Sequence, residues 1–95
     1  MERLTKLTYY VNKEFREGME KAKDQGDLAT DAELFKAALA FFRYALDTSE
    51  RGRALISRGL DGREIEVVHP SLEFAKKRGD LKREEDKDFL DNLNI

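Results

Sequence analysis

The chain has 95 residues, 40% of them charged and 9% aromatic, with a formal net charge of −2 at pH 7 and no cysteine. This length allows one domain with a small core, and the lack of cysteine excludes disulfides, thiolate zinc sites and a cysteine nucleophile. Because neither a disulfide nor such a metal site can add stability, we expect the fold to depend on a second subunit.

Hydropathy and charge limit the cellular location and the binding partners that we expect. No apolar run approaches the roughly 20 residues that a membrane span needs, and the first residues lack the apolar core of a signal peptide. We therefore expect a cytoplasmic protein without a membrane partner. The isoelectric point of about 5.5 argues against a strongly basic nucleic-acid surface. The acidic excess lies in residues 59–95 (7 basic and 10 acidic, net −3), whereas residues 1–58 have 11 and 10, net +1.

The first predicted element is a short strand. Apolar and polar residues alternate from Lys6 to Val11 and include Thr, Tyr and Val, a pattern that is typical of a β-strand. Asn12 can cap a helix that begins at Lys13, and Gly26 is a usual residue to end it. This helix has one narrow apolar stripe, formed by Phe15, Met19 and Ala22.

A second helix is predicted from Thr30. Thr30 and Glu33 form a capping box, in which the Thr hydroxyl accepts from the Glu33 amide and the Glu33 carboxylate accepts from the Thr30 amide. The apolar surface of this helix is wider than one neighbouring helix can cover, so we expect it at the centre of an oligomer, ending between Asp47 and Gly52. That surface comprises Leu34, Phe35, Ala38, Leu39, Phe41, Phe42, Ala45 and Leu46.

The second half of the chain begins with a predicted hairpin. Two strand-like runs flank Asp61-Gly62, a strong hairpin signal, and Pro70 closes the second run. The charged tail that follows is predicted to be helical or disordered, with one helix around Leu72–Arg78 and another around Glu84–Leu93. The expected fold class is mainly α with short β. The expected organisation is a helical domain at 1–52, a hairpin extension at 53–70 and the tail at 71–95.

The order of the first elements is distinctive. Leu7-Thr-Tyr-Tyr-Val11, Lys13-Glu-Phe-Arg-Glu-Gly-Met, Gly26 and Thr30-Asp-Ala-Glu-Leu-Phe-Lys-Ala-Ala-Leu39 give a strand, a helix, a turn and a capped helix. A lone strand needs hydrogen-bonding partners, and the simplest partner is the same strand of a second copy across a two-fold axis. Over about residues 4–47 the chain resembles the ribbon-helix-helix family of bacterial repressors and antitoxins, and the hairpin resembles an extension in some members.

The resemblance implies an intertwined homodimer whose paired strands enter the DNA major groove. Carried onto this sequence, it places Lys6, Thr8 and Tyr10 on the face that reads DNA. The opposite face joins a dimer core that consists of Leu7, Tyr9, Val11, Leu34, Phe35, Ala38, Leu39 and Phe42.

The resemblance also implies a DNA-phosphate contact at the start of the second helix, where free amides and the helix dipole attract an anion. Thr30, Asp31 and Ala32 occupy that place, although an ordinary helix cap would have the same sequence. Two features depart from the family. A carboxylate at position 31 repels phosphate, and Arg3 is the only cation before Lys6. Both predict weak or cooperative DNA binding, or none.

Catalytic and ligand-binding patterns are missing from the sequence. No carboxylate pair lies in an apolar setting, there is no Gly-rich phosphate loop, and His69 is the only histidine, for which we expect a structural role. We therefore predict no catalytic residue, no metal and no cofactor, and hence no enzyme.

Three functions remain open. The sequence favours a sequence-specific DNA-binding regulator, a repressor of its own or a neighbouring promoter. An alternative is an antitoxin whose tail folds onto a toxin through Leu72, Phe74, Leu81, Phe89, Leu90 and Leu93. A third is a dimerisation module without DNA binding, favoured by the acidic balance and by Asp31.

Overall fold

The structure is a computed structural model that describes residues 3–93, with side-chain surroundings described for residues 3–87. This part of the chain is mainly α with short β, as predicted. Its elements are α1 (Lys13–Gln25), α2 (Asp31–Glu50), β1 (Ile56–Arg58), β2 (Glu64–Glu66) and α3 (Pro70–Leu93). The chain divides into two compact units, unit 1 (Met1–Ala38) and unit 2 (Leu39–Ile95).

Helix α1 begins and ends at the predicted residues. The side-chain oxygen of Asn12 accepts a hydrogen bond from the amide of Phe15 at 2.8 Å, which satisfies one of the donors that a helix N-terminus leaves unpaired. The amide of Gly26 donates to the carbonyl of Ala22 at 3.0 Å and ends the helix. Met19 is the buried residue of α1.

The cap of α2 differs from the prediction in one bond. The hydroxyl of Thr30 accepts from the amide of Glu33 at 3.1 Å, as predicted. The carboxylate of Glu33, however, accepts from the amide of Ala29 at 3.0 Å and not from that of Thr30. The predicted return bond to Thr30 is therefore wrong, because the Glu33 side chain reaches one residue further and binds a donor outside the helix.

Residues 3–12 form neither a helix nor a strand within the described chain. A strand requires a hydrogen-bonded neighbour, and the two strands of the described residues, β1 and β2, pair with each other. The strand predicted between Lys6 and Val11 is thus not formed by one copy of the chain alone. Its pairing with a second copy is taken up below as a proposal.

The predicted hairpin is present in unit 2. Strands β1 and β2 are antiparallel, with Ser57 opposite Ile65. The amide of Gly59 donates to the carbonyl of Arg63 and the amide of Gly62 donates to the carbonyl of Gly59, at 2.8 and 3.0 Å. Gly62 has a φ of 84°, the left-handed conformation that closes a three-residue hairpin loop and that glycine adopts without strain.

Helix α3 replaces the two separate tail helices of the prediction, which is wrong in this respect. The helix begins at Pro70, where the missing amide hydrogen costs nothing, and the ring nitrogen Nδ1 of His69 accepts from the amide of Ser71 at 3.1 Å. His69 therefore has a structural role as a cap. Gly79 lies inside α3 and is buried, although glycine disfavours a helix by roughly 0.5–1 kcal/mol relative to alanine.

The burial of Gly79 explains why the helix continues through it. A Cβ at this position would collide with the backbone carbonyl of Glu50 at the end of α2, so only glycine permits this approach. Arg83, one turn later, donates to the same carbonyl at 2.6 Å and also pairs with Asp80. Within the described part of unit 2, the buried residues are small or apolar and are Ala45, Ser49, Leu72, Ala75 and Gly79.

Candidate nucleic-acid interface

The two adjacent tyrosines of the N-terminal segment point in different directions. The ring of Tyr9 lies 5.8 Å from the ring of Phe35, between centroids, in a tilted arrangement typical of aromatic pairs. Tyr10, in contrast, is 99% exposed. This difference agrees with the predicted alternation, in which Tyr9 faces the helices of unit 1 and Tyr10 faces away.

An open cleft of about 320 Å³ lies between the segment and the helices of unit 1. Leu7, Tyr9 and Val11, the predicted inner residues, line it together with Met19 and Phe35. The alternation is not strict, because Thr8, predicted to face DNA, also lines the cleft. Lys6 is exposed, as a groove-facing residue must be.

Most residues of the predicted dimer core are exposed in the single chain. Leu34 is half-buried, and the other seven are exposed. The apolar side chains that remain in water include Leu7, Tyr9, Val11, Phe35, Leu39 and Phe42, with exposed fractions from 42% to 70%. Each would gain roughly 25 cal/mol for every Å² of apolar surface that a partner covers. The single chain therefore leaves unused a large part of the stabilisation that its sequence can provide.

Asp31 is held by two cations from α1. One carboxylate oxygen of Asp31 accepts from Arg16 at 2.7 Å, and the other accepts from Lys23 at 2.9 Å. These hydrogen bonds, from Arg16 first and Lys23 second, favour the charged carboxylate and lower the pKa of Asp31 below its usual value of 3.8. The bond to Asp31 likewise raises the pKa of Arg16 and that of Lys23.

Glu20 completes this cluster. Its carboxylate lies 2.8 Å from the Arg16 guanidinium and 3.0 Å from the Lys23 amine. Two positive and two negative charges therefore meet beside the start of α2, and their sum is zero. The carboxylate of Asp31 does not stand uncompensated, but the cluster offers no net positive charge to a phosphate either.

The side chains of the three residues predicted to bind phosphate are therefore not available for it. The Thr30 hydroxyl serves the helix cap, the Asp31 carboxylate binds Arg16 and Lys23, and the side chain of Ala32 has no polar atom. What remains for an anion at this helix end is the backbone. Among the described residues, no acceptor binds the amides of Asp31 and Ala32.

Arg16, Glu20 and Lys23 are the polar residues that the sequence analysis missed. Their spacing of four and three residues places them on one face of α1, a pattern that indicates ion pairs along a helix. That signal could have been found. The contact of this face with Asp31 could not, because it depends on the path of the turn between the two helices.

Other kinds of site find little support in the residues that the structure describes. None of their acidic or histidine side chains cluster in a way that could hold a metal ion, and none of their helices is long and apolar enough to cross a membrane. Comparison with known protein families, with curated proteins and with solved structures gives no match to this chain.

Proposed function

We propose that the chain is a DNA-binding regulator that acts as a homodimer. In this proposal, residues 4–11 pair with the same residues of a second copy, and the resulting ribbon presents Lys6, Thr8 and Tyr10 to the major groove. The observation that carries the proposal is the pair of adjacent tyrosines, of which Tyr9 contacts Phe35 while Tyr10 is wholly in water.

Unpaired backbone supports the homodimer. Residues 3–12 donate no backbone hydrogen bond within the described chain. Only Asn12 accepts any, because its backbone and side-chain oxygens accept from the amides of Arg16 and Phe15 at the start of α1. Backbone amides and carbonyls without partners are a template for strand pairing. A second copy of the same segment would satisfy those groups and cover the exposed apolar residues of the cleft.

Electrostatics set the expected strength of DNA binding. Asp31 is neutralised by Arg16 and Lys23, so it repels phosphate less than its sequence position suggests. Lys6 is the cation of the ribbon, and Arg3 directly precedes it; both are exposed. With two copies, about four phosphate contacts predict a slope of log affinity against log salt of about −4, and hence modest affinity at physiological salt.

A fluorescence anisotropy titration with random-sequence duplex DNA tests the proposal. Binding should be measurable at about 50 mM salt, where electrostatic contacts are strong, and should weaken with the slope given above. Replacing Lys6, Thr8 and Tyr10 together by alanine should reduce the affinity at least tenfold. The matched control is Lys21→Ala, which removes the same single positive charge from an exposed position on α1.

Two results would contradict the proposal. One is the absence of binding by the unaltered chain at low salt, and the other is an affinity that the triple substitution leaves equal to that of the Lys21→Ala control. A selection from a random duplex library, carried out with the same two variants, then distinguishes base reading from phosphate binding, because only base contacts produce a preferred sequence.

Fewer residues can serve the antitoxin alternative than its sequence pattern suggests. Leu72 is 7% exposed and is therefore already buried within its own chain, whereas Phe74 and Leu81 are exposed and accessible to a partner. Arg83 donates to the carbonyl of Glu50, so α3 contacts the end of α2 at least as far as residue 83. The side chains of Phe89, Leu90 and Leu93, which the alternative also uses, lie outside the described surroundings. We therefore propose the DNA-binding regulator as the main function.

A further inference from the structure

Unit 2 has an apolar groove that the proposed ribbon and its DNA contact do not use, and Phe42 is the one lining residue that it shares with the predicted dimer core. Its volume is about 480 Å³, which is within the range of ligand-sized clefts. Phe42 and Leu46 of α2 form one wall, and Pro70, Phe74 and Ala75 of α3 form the other. The ring of Phe74 is 70% exposed along this groove, so a large apolar surface stays open to water.

Two opposite charges lie at the rim of the groove, Glu50 and Arg78. The Glu50 carboxylate has only a distant neighbour, the Lys82 amine at 3.9 Å. Arg78 is exposed and has no ion-pair partner among the described residues. An occupant that suits this groove is therefore apolar at its centre and has one acidic and one basic group beside it.

The tip of the β1–β2 hairpin has this composition. Leu60 is wholly exposed at the tip, a position where polar residues are usual, and nothing in the fold uses its side chain. Asp61 and Arg63 follow it in the loop, with side chains 64% and 82% exposed and a separation of 3.8 Å between carboxylate and guanidinium. The Oδ1 atom of Asp61 accepts from the amide of Arg63 at 3.0 Å, whereas the ion pair through Oδ2 is weak and can exchange partners at little cost, since both charged groups are already hydrated.

We propose that the hairpin tip of one copy docks into the groove of a second copy, with Leu60 between Leu46 and Phe74. Asp61 then lies near Arg78, and Arg63 lies near Glu50. The contact joins two different surfaces, so it is heterologous, and it can link homodimers into larger assemblies. It does not require DNA binding, and its test is independent of the ribbon.

Cross-linking between two single-cysteine variants tests the contact, because the chain has no cysteine of its own. The Ser57→Cys protein, altered in the hairpin, and the Ser71→Cys protein, altered at the groove, keep all four charges of the proposed contact. The two proteins, with tags of different size, are mixed and treated with a short bismaleimide. We expect mixed cross-links to exceed either homotypic product about tenfold. Random collision instead gives mixed products at only twice each homotypic one, and that ratio would overturn the proposal.

Substitutions of apolar residues by serine distinguish specific docking from nonspecific apolar association. Leu60→Ser, added to the Ser57→Cys protein, should reduce the mixed product at least fivefold, and Phe74→Ser in the Ser71→Cys protein should do the same. Leu81→Ser is the matched control, since Leu81 is 62% exposed but does not line the groove. Equal losses with Leu60→Ser and Leu81→Ser would contradict a specific contact. Because Leu60 and Phe74 are already exposed, neither substitution removes part of the core.

Discussion

The two units of the chain reach stability by different means. In unit 2 the two strands pair with each other. The carbonyl of Glu50 is closely approached by Gly79 and accepts a hydrogen bond from Arg83. Within its described part, unit 1 has one buried hydrophobic residue, Met19, a segment at residues 3–12 that forms neither helix nor strand, and an ion-pair cluster around Asp31. The comparison teaches that the strands of unit 2 find their partners within one copy, whereas residues 3–12 of unit 1 do not, and that both units leave large apolar side chains exposed.

The largest expected effect falls on unit 2, at Gly79. Gly79→Ala places a methyl group against the backbone of Glu50, which cannot move aside as a flexible side chain can. We expect a loss of about 3 kcal/mol in the free energy of unfolding, at the upper end of overpacking effects. Urea denaturation followed by circular dichroism measures it.

Gly18→Ala in unit 1 is the matched control for this change. Gly18 lies in α1 with no atom within 4 Å of the added Cβ, so alanine should stabilise the protein by about 0.5–1 kcal/mol through helix propensity. If the two alanine variants shift stability in the same direction, the close approach of Gly79 to Glu50 does not exist in solution.

The next effect concerns the small core of unit 1. Met19→Ala removes its buried hydrophobic side chain and should lower the free energy of unfolding by about 2 kcal/mol.

Tyrosine fluorescence can follow unit 1 alone in a Tyr44→Phe background, because Tyr9 and Tyr10 are then the only tyrosines. In that background the unfolding midpoint should rise with protein concentration, since a second copy covers the rest of the apolar surface. A midpoint independent of concentration argues against the contrast drawn between the units.

A smaller effect is expected at the hairpin loop. Gly62 has a φ of 84° and open space around it, so Gly62→Ala introduces backbone strain without a collision. A left-handed residue other than glycine costs about 1 kcal/mol, and this loss should appear in the unfolding of unit 2 only. A loss seen equally in the tyrosine signal of unit 1 would mean that the two units unfold together.

The smallest effect is a pH dependence at Asp31. Its pKa is lowered on folding, so the charged carboxylate stabilises the folded state above pH 3.8, and this contribution is lost as the pH falls below that value. Asp31→Asn should therefore lower the urea midpoint at pH 7, and the difference from the unaltered chain should close towards pH 3. Asp24→Asn, which removes the same charge from an exposed position on α1, is the matched control. A difference that is the same at both pH values contradicts the ion pairs with Arg16 and Lys23.

Local signals explain what the sequence could predict. Asn12 and Thr30 accept from amides three residues later, and Gly62 closes a loop through its own backbone, so these elements depend on neighbouring residues only. The division of α3 into two helices was wrong because the reason for Gly79 lies in Glu50, far away in sequence. The partners of Asp31 were missed for the same kind of reason. The proposed ribbon stays a prediction, since it depends on a second copy of the chain.

The central claim is that residues 4–11 pair with themselves across a two-fold axis. Isotope-filtered nuclear Overhauser spectroscopy on a mixture of labelled and unlabelled protein tests it most directly, because facing residues in an antiparallel pair bring their Cα atoms within about 4.5–5.5 Å. We predict contacts between the two copies from Lys6 to Val11, with protection of their amides from hydrogen exchange. If intermolecular contacts are found only elsewhere, or if these amides exchange as freely as in an unfolded chain, the account is contradicted.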